Sequence, residues 1–144
     1  MITKIFFIPL LSLAFLTMGS LAWADNKTER HYDASGKYTG KSVNNGNGTT
    51  RHYDRSGRST GRETVSKKGS RQYDASGRYQ GRSTLSNSNQ RNYDRSGRYT
   101  GRSTSNGSTL RHYDSSGRYT GKSVRSGNSI RHYDRSGRYQ GQSK

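Results

Sequence analysis

Residues 71–83 read RQYDASGRYQGRS, and close variants of this stretch occur six times along the 144-residue chain. Successive Tyr-Asp pairs are separated by 21, 20, 20, 20 and 20 residues, and they begin at Tyr32, Tyr53, Tyr73, Tyr93, Tyr113 and Tyr133. A fixed period of this length is typical of tandem structural repeats. Residues 30–144 are therefore interpreted as six copies of one unit, of which the second departs at Ser59, where the others have tyrosine.

The Asp-x-Ser-Gly segment inside each copy predicts a type I turn with Asp in first position and Gly in fourth position. An Asp carboxylate can accept hydrogen bonds from backbone amides of the turn, and Gly tolerates positive φ because it has no Cβ. This chemistry favours a turn role over catalysis or metal binding. The residues concerned are Asp33, Gly36, Asp54, Gly57, Asp74, Gly77, Asp94, Gly97, Asp114, Gly117, Asp134 and Gly137.

The segments that flank these turns predict short polar strands, and spacers such as Asn45-Gly46 and Asn106-Gly107 predict second turns. We therefore expect an all-β fold, an elongated solenoid of six 20-residue β-hairpin repeats with tyrosines stacked from copy to copy. Intrinsic disorder is the close alternative, because so little apolar surface is available for burial. After residue 24 the branched aliphatics are Val43, Val65, Leu85, Leu110, Val124 and Ile130.

The first 24 residues have the pattern of a secretory signal peptide. Lys4 precedes an apolar run from Ile5 to Met18, and Ala22 and Ala24 form an A-x-A cleavage pattern. We expect cleavage after Ala24, an amino-terminal lead over residues 25–29, a periplasmic or secreted location, and no membrane span in the mature chain. The chain has no cysteine, so no disulfide can stabilise it after export.

The strings Tyr93–Tyr99 and Tyr133–Tyr139 resemble the core of the YD-repeat, or rearrangement-hot-spot, family of bacterial secreted proteins. The resemblance covers nearly all of the mature chain, although this chain has tyrosine where the family usually has an aliphatic residue after the Gly-Arg pair. It implies β-hairpin strands and export, as in the family's toxin-enclosing shells and adhesive modules. Six short copies could not enclose a toxin. A weaker likeness to choline-binding hairpin repeats lacks their tryptophans.

The sequence predicts a protein that is not an enzyme and needs no cofactor or metal. Residues 36–42 and 117–123 end in Gly-Lys-Ser, but only three residues separate their glycines, whereas a phosphate-binding loop needs four. Four copies have histidine before the Tyr-Asp pair, and each lacks a second strong metal ligand nearby. A desolvated catalytic pocket is also difficult to build from this composition.

The net charge of +17 and the placement of the cations in register with tyrosine favour a polyanionic polymer or surface as partner. The candidates are lipopolysaccharide, anionic polysaccharide and extracellular DNA at the cell envelope. We expect charge contacts from Arg51, Arg58, Arg71, Arg78, Arg91, Arg98, Arg111, Arg118, Arg131 and Arg138. We expect stacking contacts from Tyr32, Tyr38, Tyr53, Tyr73, Tyr79, Tyr93, Tyr99, Tyr113, Tyr119, Tyr133 and Tyr139.

Two other functions are consistent with the repeats. Open hairpin edges could pair between molecules, which would make the protein a self-assembling surface or fibre component. The cationic surface could instead dock on an acidic protein of the envelope.

Overall fold

The computed structural model describes residues 27–144, so the expected signal peptide and the first two residues of the expected lead lie outside the described residues. The described chain consists of hairpins in series, and no helix in it is long and apolar enough to cross a membrane. Its strands are β1 (Thr28–Asp33), β2 (Tyr38–Asn44), β3 (Thr49–Asp54), β4 (Ser59–Ser66), β5 (Gly69–Asp74), β6 (Tyr79–Ser86), β7 (Asn89–Asp94), β8 (Tyr99–Asn106), β9 (Thr109–Asp114), β10 (Tyr119–Ser126), β11 (Ser129–Asp134) and β12 (Tyr139–Ser143).

The all-β prediction and the repeating hairpins are confirmed, but the expectation of an open solenoid is wrong. The twelve strands close into an antiparallel barrel in which consecutive strands pair and β1 pairs with β12. Intrinsic disorder does not describe residues 27–144, which form regular paired strands. The strand β1 begins at Thr28, so the end of the expected lead belongs to the barrel.

The register explains the closure. Within the first hairpin His31 lies opposite Gly40, and across the next interface Gly40 lies opposite Asp54. In the second copy, the residue equivalent to His31 is His52, which lies two residues before Asp54. The two partners of Gly40 therefore differ by two positions of the repeat, and the pairing is offset by two residues per repeat. Such an offset tilts strands relative to the barrel axis, as closure of a sheet requires. The final interface, in which Gly141 lies opposite Asp33, repeats the same register.

The Asp-x-Ser-Gly segments join the two strands of each hairpin. In the fourth repeat the Gly97 amide donates to the Asp94 carbonyl at 3.0 Å, and Gly97 has a φ of +79°. The Asp94 carboxylate Oδ1 accepts from the backbone amides of Ser96 and Arg98, each at 2.9 Å. This is a type I turn followed by a left-handed glycine. The same carbonyl bond recurs at 3.0 Å in all six copies.

The interior wall of the barrel is polar. Strand alternation places the second residue after the glycine of each even-numbered strand on the inner face. This residue is Glu63 in the second copy and serine in the others, and Ser103 is only 2% exposed. The buried apolar side chains of residues 27–144 are Leu110 and Ile130. A closed ring of backbone pairing thus organises a chain that has too few aliphatics for a conventional core.

Candidate functional site

The outer face of the barrel carries cations at one level on almost every strand. The arginine before each Tyr-Asp pair lies directly opposite the residue after the second glycine of the same hairpin, as in the pair Arg71 and Arg82. These positions form what we call the equatorial belt: Arg30, Lys41, Arg51, Arg62, Arg71, Arg82, Arg91, Arg102, Arg111, Lys122, Arg131 and the uncharged Gln142.

The carboxylates of the described strands do not lie on the face that carries the belt. Six of the eight acidic residues in this part of the chain are the turn aspartates, which mark the ends of the strands. Glu63 is buried at 6% exposure, and Glu29 alternates with the outward Arg30 and therefore faces inward. Like charges directly opposite each other on neighbouring strands destabilise a sheet. The belt therefore carries concentrated positive charge at a cost in stability.

In five repeats the tyrosine of the Tyr-Asp pair packs beneath a belt cation from the preceding repeat, whereas Tyr32 packs beneath Lys144, which is not part of the belt. The Arg62 guanidinium carbon lies 4.8 Å from the ring centroid of Tyr73, and Arg102 lies 4.9 Å from that of Tyr113. Such cation–π contacts hold a cation over an aromatic face. The other pairs, at 5.1 to 5.5 Å, are Lys41 with Tyr53, Arg82 with Tyr93, Lys122 with Tyr133 and Lys144 with Tyr32.

In the five repeats that have two tyrosines, the second ring meets the first edge-to-face. Ring centroids lie 6.0 Å apart in the pairs Tyr32–Tyr38, Tyr73–Tyr79, Tyr93–Tyr99, Tyr113–Tyr119 and Tyr133–Tyr139. The residues expected to stack on a ligand are thus engaged within the protein, and even the most exposed, Tyr79 and Tyr119, are only 37% exposed. The tyrosine rings hold the belt cations in position and also hold one another in position.

The arginines expected to bind polyanions occupy two places. Arg51, Arg71, Arg91, Arg111 and Arg131 belong to the equatorial belt. Arg58, Arg78, Arg98, Arg118 and Arg138 follow the turn glycines, and with Lys37 they form what we call the turn rim at one end of the barrel. The Arg98 side chain is 82% exposed, and its Nε lies 3.9 Å from the Asp94 carboxylate.

The sequence interpretation did not include the even-strand cations of the belt, Lys41, Arg62, Arg82, Arg102 and Lys122, among its site residues. Their signal is the Gly-Arg-Ser or Gly-Lys-Ser triplet, which is Gly-Arg-Glu at Arg62. With a two-residue strand period, the buried glycine and serine of this triplet place the cation between them on the outer face.

The inner wall carries a continuous chain of serine and histidine side chains, which the sequence interpretation also did not identify. Each serine hydroxyl in the middle of the chain contacts two imidazoles, as Ser42 Oγ contacts His31 Nε2 at 2.7 Å and His52 Nδ1 at 2.9 Å. The chain crosses the interface of β1 and β12, where Ser143 Oγ lies 3.2 Å from both His31 Nδ1 and His132 Nε2. Its order is Ser103, His112, Ser123, His132, Ser143, His31, Ser42 and His52.

Burial lowers the pKa of all four imidazoles, because desolvation of the ring disfavours its charged form. The positive charge of His132 lowers the pKa of His112 further. Glu29 partly opposes the effect of burial on His52 and His132. The chain is therefore uncharged at neutral pH, where each imidazole can donate through one nitrogen and accept through the other.

Within residues 27–144, no group of three or more His, Asp or Glu side chains is arranged to hold a metal ion. The serine–histidine chain follows the wall from strand to strand and does not converge on a point. No protein-family model matches this chain, and no curated protein matches its sequence.

Proposed function

We propose that the protein is exported and binds polyanions at the cell envelope, chiefly through the equatorial belt. The observation that carries this proposal is the belt itself, eleven cations at one level of the outer wall with no carboxylate of the described strands on the same face. When such cations bind a polyanion, they replace its condensed counterions, and the release of these counterions drives association. The YD-repeat resemblance is consistent with an extracellular module.

The arrangement within each hairpin supports binding over a merely soluble surface. In five of the six hairpins, two belt cations lie directly opposite each other, which weakens strand pairing. A partner that places anions between them converts this repulsion into attraction. The guanidinium group also matches phosphate and carboxylate geometry with two parallel hydrogen bonds.

The proposal is tested with two matched variants of residues 25–144, each of which removes six charges, one from every repeat. The belt variant replaces Arg30, Arg51, Arg71, Arg91, Arg111 and Arg131 with Gln. The rim variant replaces Lys37, Arg58, Arg78, Arg98, Arg118 and Arg138 with Gln. Retention on immobilised heparin is measured as a function of salt, and circular dichroism checks that both variants keep the fold.

We expect the belt variant to elute at much lower salt than the rim variant, because the belt concentrates cations where no carboxylate competes. Binding of the unmodified protein that does not weaken with salt would contradict the proposal, and so would equal losses in both variants.

The two alternatives are affected differently by the fold. Self-assembly through open hairpin edges has no edge available, because each of the twelve described strands is paired on both sides. Docking on an acidic protein would use the same belt and stays a prediction. A compact acidic protein contacts only one side of a barrel, whereas a polymer can contact all sides. A variant that loses the charges on one side of the belt therefore distinguishes the two kinds of partner.

A further inference from the structure

The belt is a closed circle. The interface of β12 and β1 repeats the register of the other interfaces between repeats, so the six repeats are related by rotation around the barrel without a net translation along it. Equivalent residues of all repeats consequently lie at the same height. The belt therefore returns to its starting point, interrupted in charge only at Gln142.

The size of this circle follows from the strand number. Twelve strands about 4.8 Å apart, tilted by about 40°, give a backbone circumference of about 75 Å and a diameter of about 24 Å. The side chains of the belt extend outward, so the charged groups lie on a circle of about 100 Å circumference.

From this geometry we propose that the preferred ligand is a flexible, single-chain polyanion that wraps around the equator of the barrel. This inference rests on the proposed function and specifies its ligand class. A flexible chain can follow the circle and contact cations on all six repeats. Duplex DNA has a persistence length of about 500 Å and would touch the barrel only along a short tangent.

The tyrosines indicate that such a chain is recognised through its charges alone. The Tyr73 ring lies beneath Arg62 and against Tyr79, and the other complete repeats have the same arrangement. Bases of a nucleic acid would have to displace these internal contacts before they could stack. A polymer without aromatic groups therefore binds as well as one that has them, provided that its charge and flexibility are similar.

The test compares three probes by salt-dependent fluorescence anisotropy: inorganic polyphosphate, single-stranded oligothymidylate and duplex DNA. The two flexible chains are used in a length series that extends well below and above the belt's circumference of about 100 Å. We expect their affinity to rise with length and to level off once one molecule encircles the barrel. For the oligothymidylate, the slope of log K against log salt should approach about −8, against about −3 for a duplex that touches three or four cations.

A localised variant sharpens the test. Replacing Arg71, Arg82, Arg91 and Arg102 with Gln neutralises one side of the belt and leaves the opposite side intact. A wrapping chain must cross the neutral side, so the magnitude of its salt slope should decrease by about 3. A duplex or a compact acidic protein can bind the intact side, so its affinity should change by no more than about twofold.

The outcomes separate this inference from the proposed function. Equal salt slopes for duplex and single strand, or a localised variant that binds the flexible chains normally, would overturn wrapping and leave polyanion binding in place. Binding of oligothymidylate without binding of polyphosphate would overturn recognition by charge alone. Failure of all three probes to bind would overturn the proposed function itself.

Discussion

Two glycines of each repeat have positive φ, and these differ in the space that is available for a side chain. Gly97, in the fourth turn, has open space where a Cβ would stand. Gly101 has a φ of +150°, and a Cβ there would collide with the Tyr113 carbonyl on the neighbouring strand. The first glycine is needed only for its conformation, whereas the second also permits two strands to approach each other.

Replacing each glycine with alanine separates the two effects. We expect Gly97→Ala to lower the free energy of unfolding by about 1 kcal/mol, the usual cost of a left-handed non-glycine residue. Gly101→Ala should cost at least about 2 kcal/mol, because the backbone of the adjacent strand must shift. Urea unfolding of both variants measures the difference, and equal losses would show that the close approach is not a constraint.

The serine–histidine chain makes stability depend on pH. Since burial lowers the pKa of His112 in the folded state, the unfolded chain binds more protons between that lowered value and the ordinary value of about 6.5. The contribution to stability is complete above pH 6.5 and is lost as the pH falls from there toward the folded-state pKa.

We expect the urea concentration at the unfolding midpoint to be lower at pH 5 than at pH 7.5. The substitution His112→Asn should reduce this difference. The fourth repeat has Asn92 at the equivalent position, so the substitution is compatible with the wall. Gln72→Asn, at the same position of the third repeat, changes no titratable group and serves as the control. A pH dependence that is identical in all three proteins would contradict this role of the imidazole.

The turn residues could be interpreted from sequence because their chemistry is local. The partners of Asp94 are groups of residues at most four positions away. The partners of His112 are Ser103 and Ser123 on the two adjacent strands, at sequence distances of nine and eleven residues. Such a chain becomes visible only when the register of neighbouring strands is known.

At the scale of the hairpin, the second repeat lacks a contact that the other five have. Ser59 lies opposite Tyr53, where the other copies place two tyrosines edge-to-face at 6.0 Å. This absence is the structural consequence of the irregular second copy.

We expect Ser59→Tyr to raise the free energy of unfolding by about 1 kcal/mol, the magnitude of an aromatic pair. The comparison is made by urea unfolding in two backgrounds, the unmodified protein and Tyr53→Leu. The gain should vanish in the second background, because the new ring then has no aromatic partner. A gain that persists there would indicate burial of apolar surface in place of the ring contact.

At the scale of the whole molecule, the sequence established the strands, the turns and the period, but not the closure. Every copy predicts the same hairpin whether six hairpins form a line or a ring. Closure depends on the two-residue offset between Gly40 and Asp54 and on its repetition at Gly141 and Asp33. These pairings connect different copies, and nothing in the pattern of a single copy specifies them.

The same reasoning applies to the core and to the site. The scarcity of aliphatics correctly indicated that no conventional core could form, but it did not indicate that buried serines and histidines would line a barrel. The arginines were recognised as one set because they recur in register with tyrosine. Their division into an equatorial belt and a turn rim follows from strand alternation and from the barrel axis, which require the assembled fold.

Because the register of the barrel is uniform and the barrel is closed, the chain can begin in a loop other than the one at which it begins in this sequence. A circular permutant that joins Lys144 to Lys27 through a short Gly-Ser linker, and opens the chain between Lys67 and Lys68, retains all twelve strand pairings. We expect its circular dichroism spectrum and its single cooperative urea transition to match those of residues 27–144. Loss of cooperative unfolding would show that β1 and β12 are special. If the permutant unfolds cooperatively, then any hairpin of the closed barrel can be the first or the last in the chain, because every hairpin has a paired neighbour on both sides.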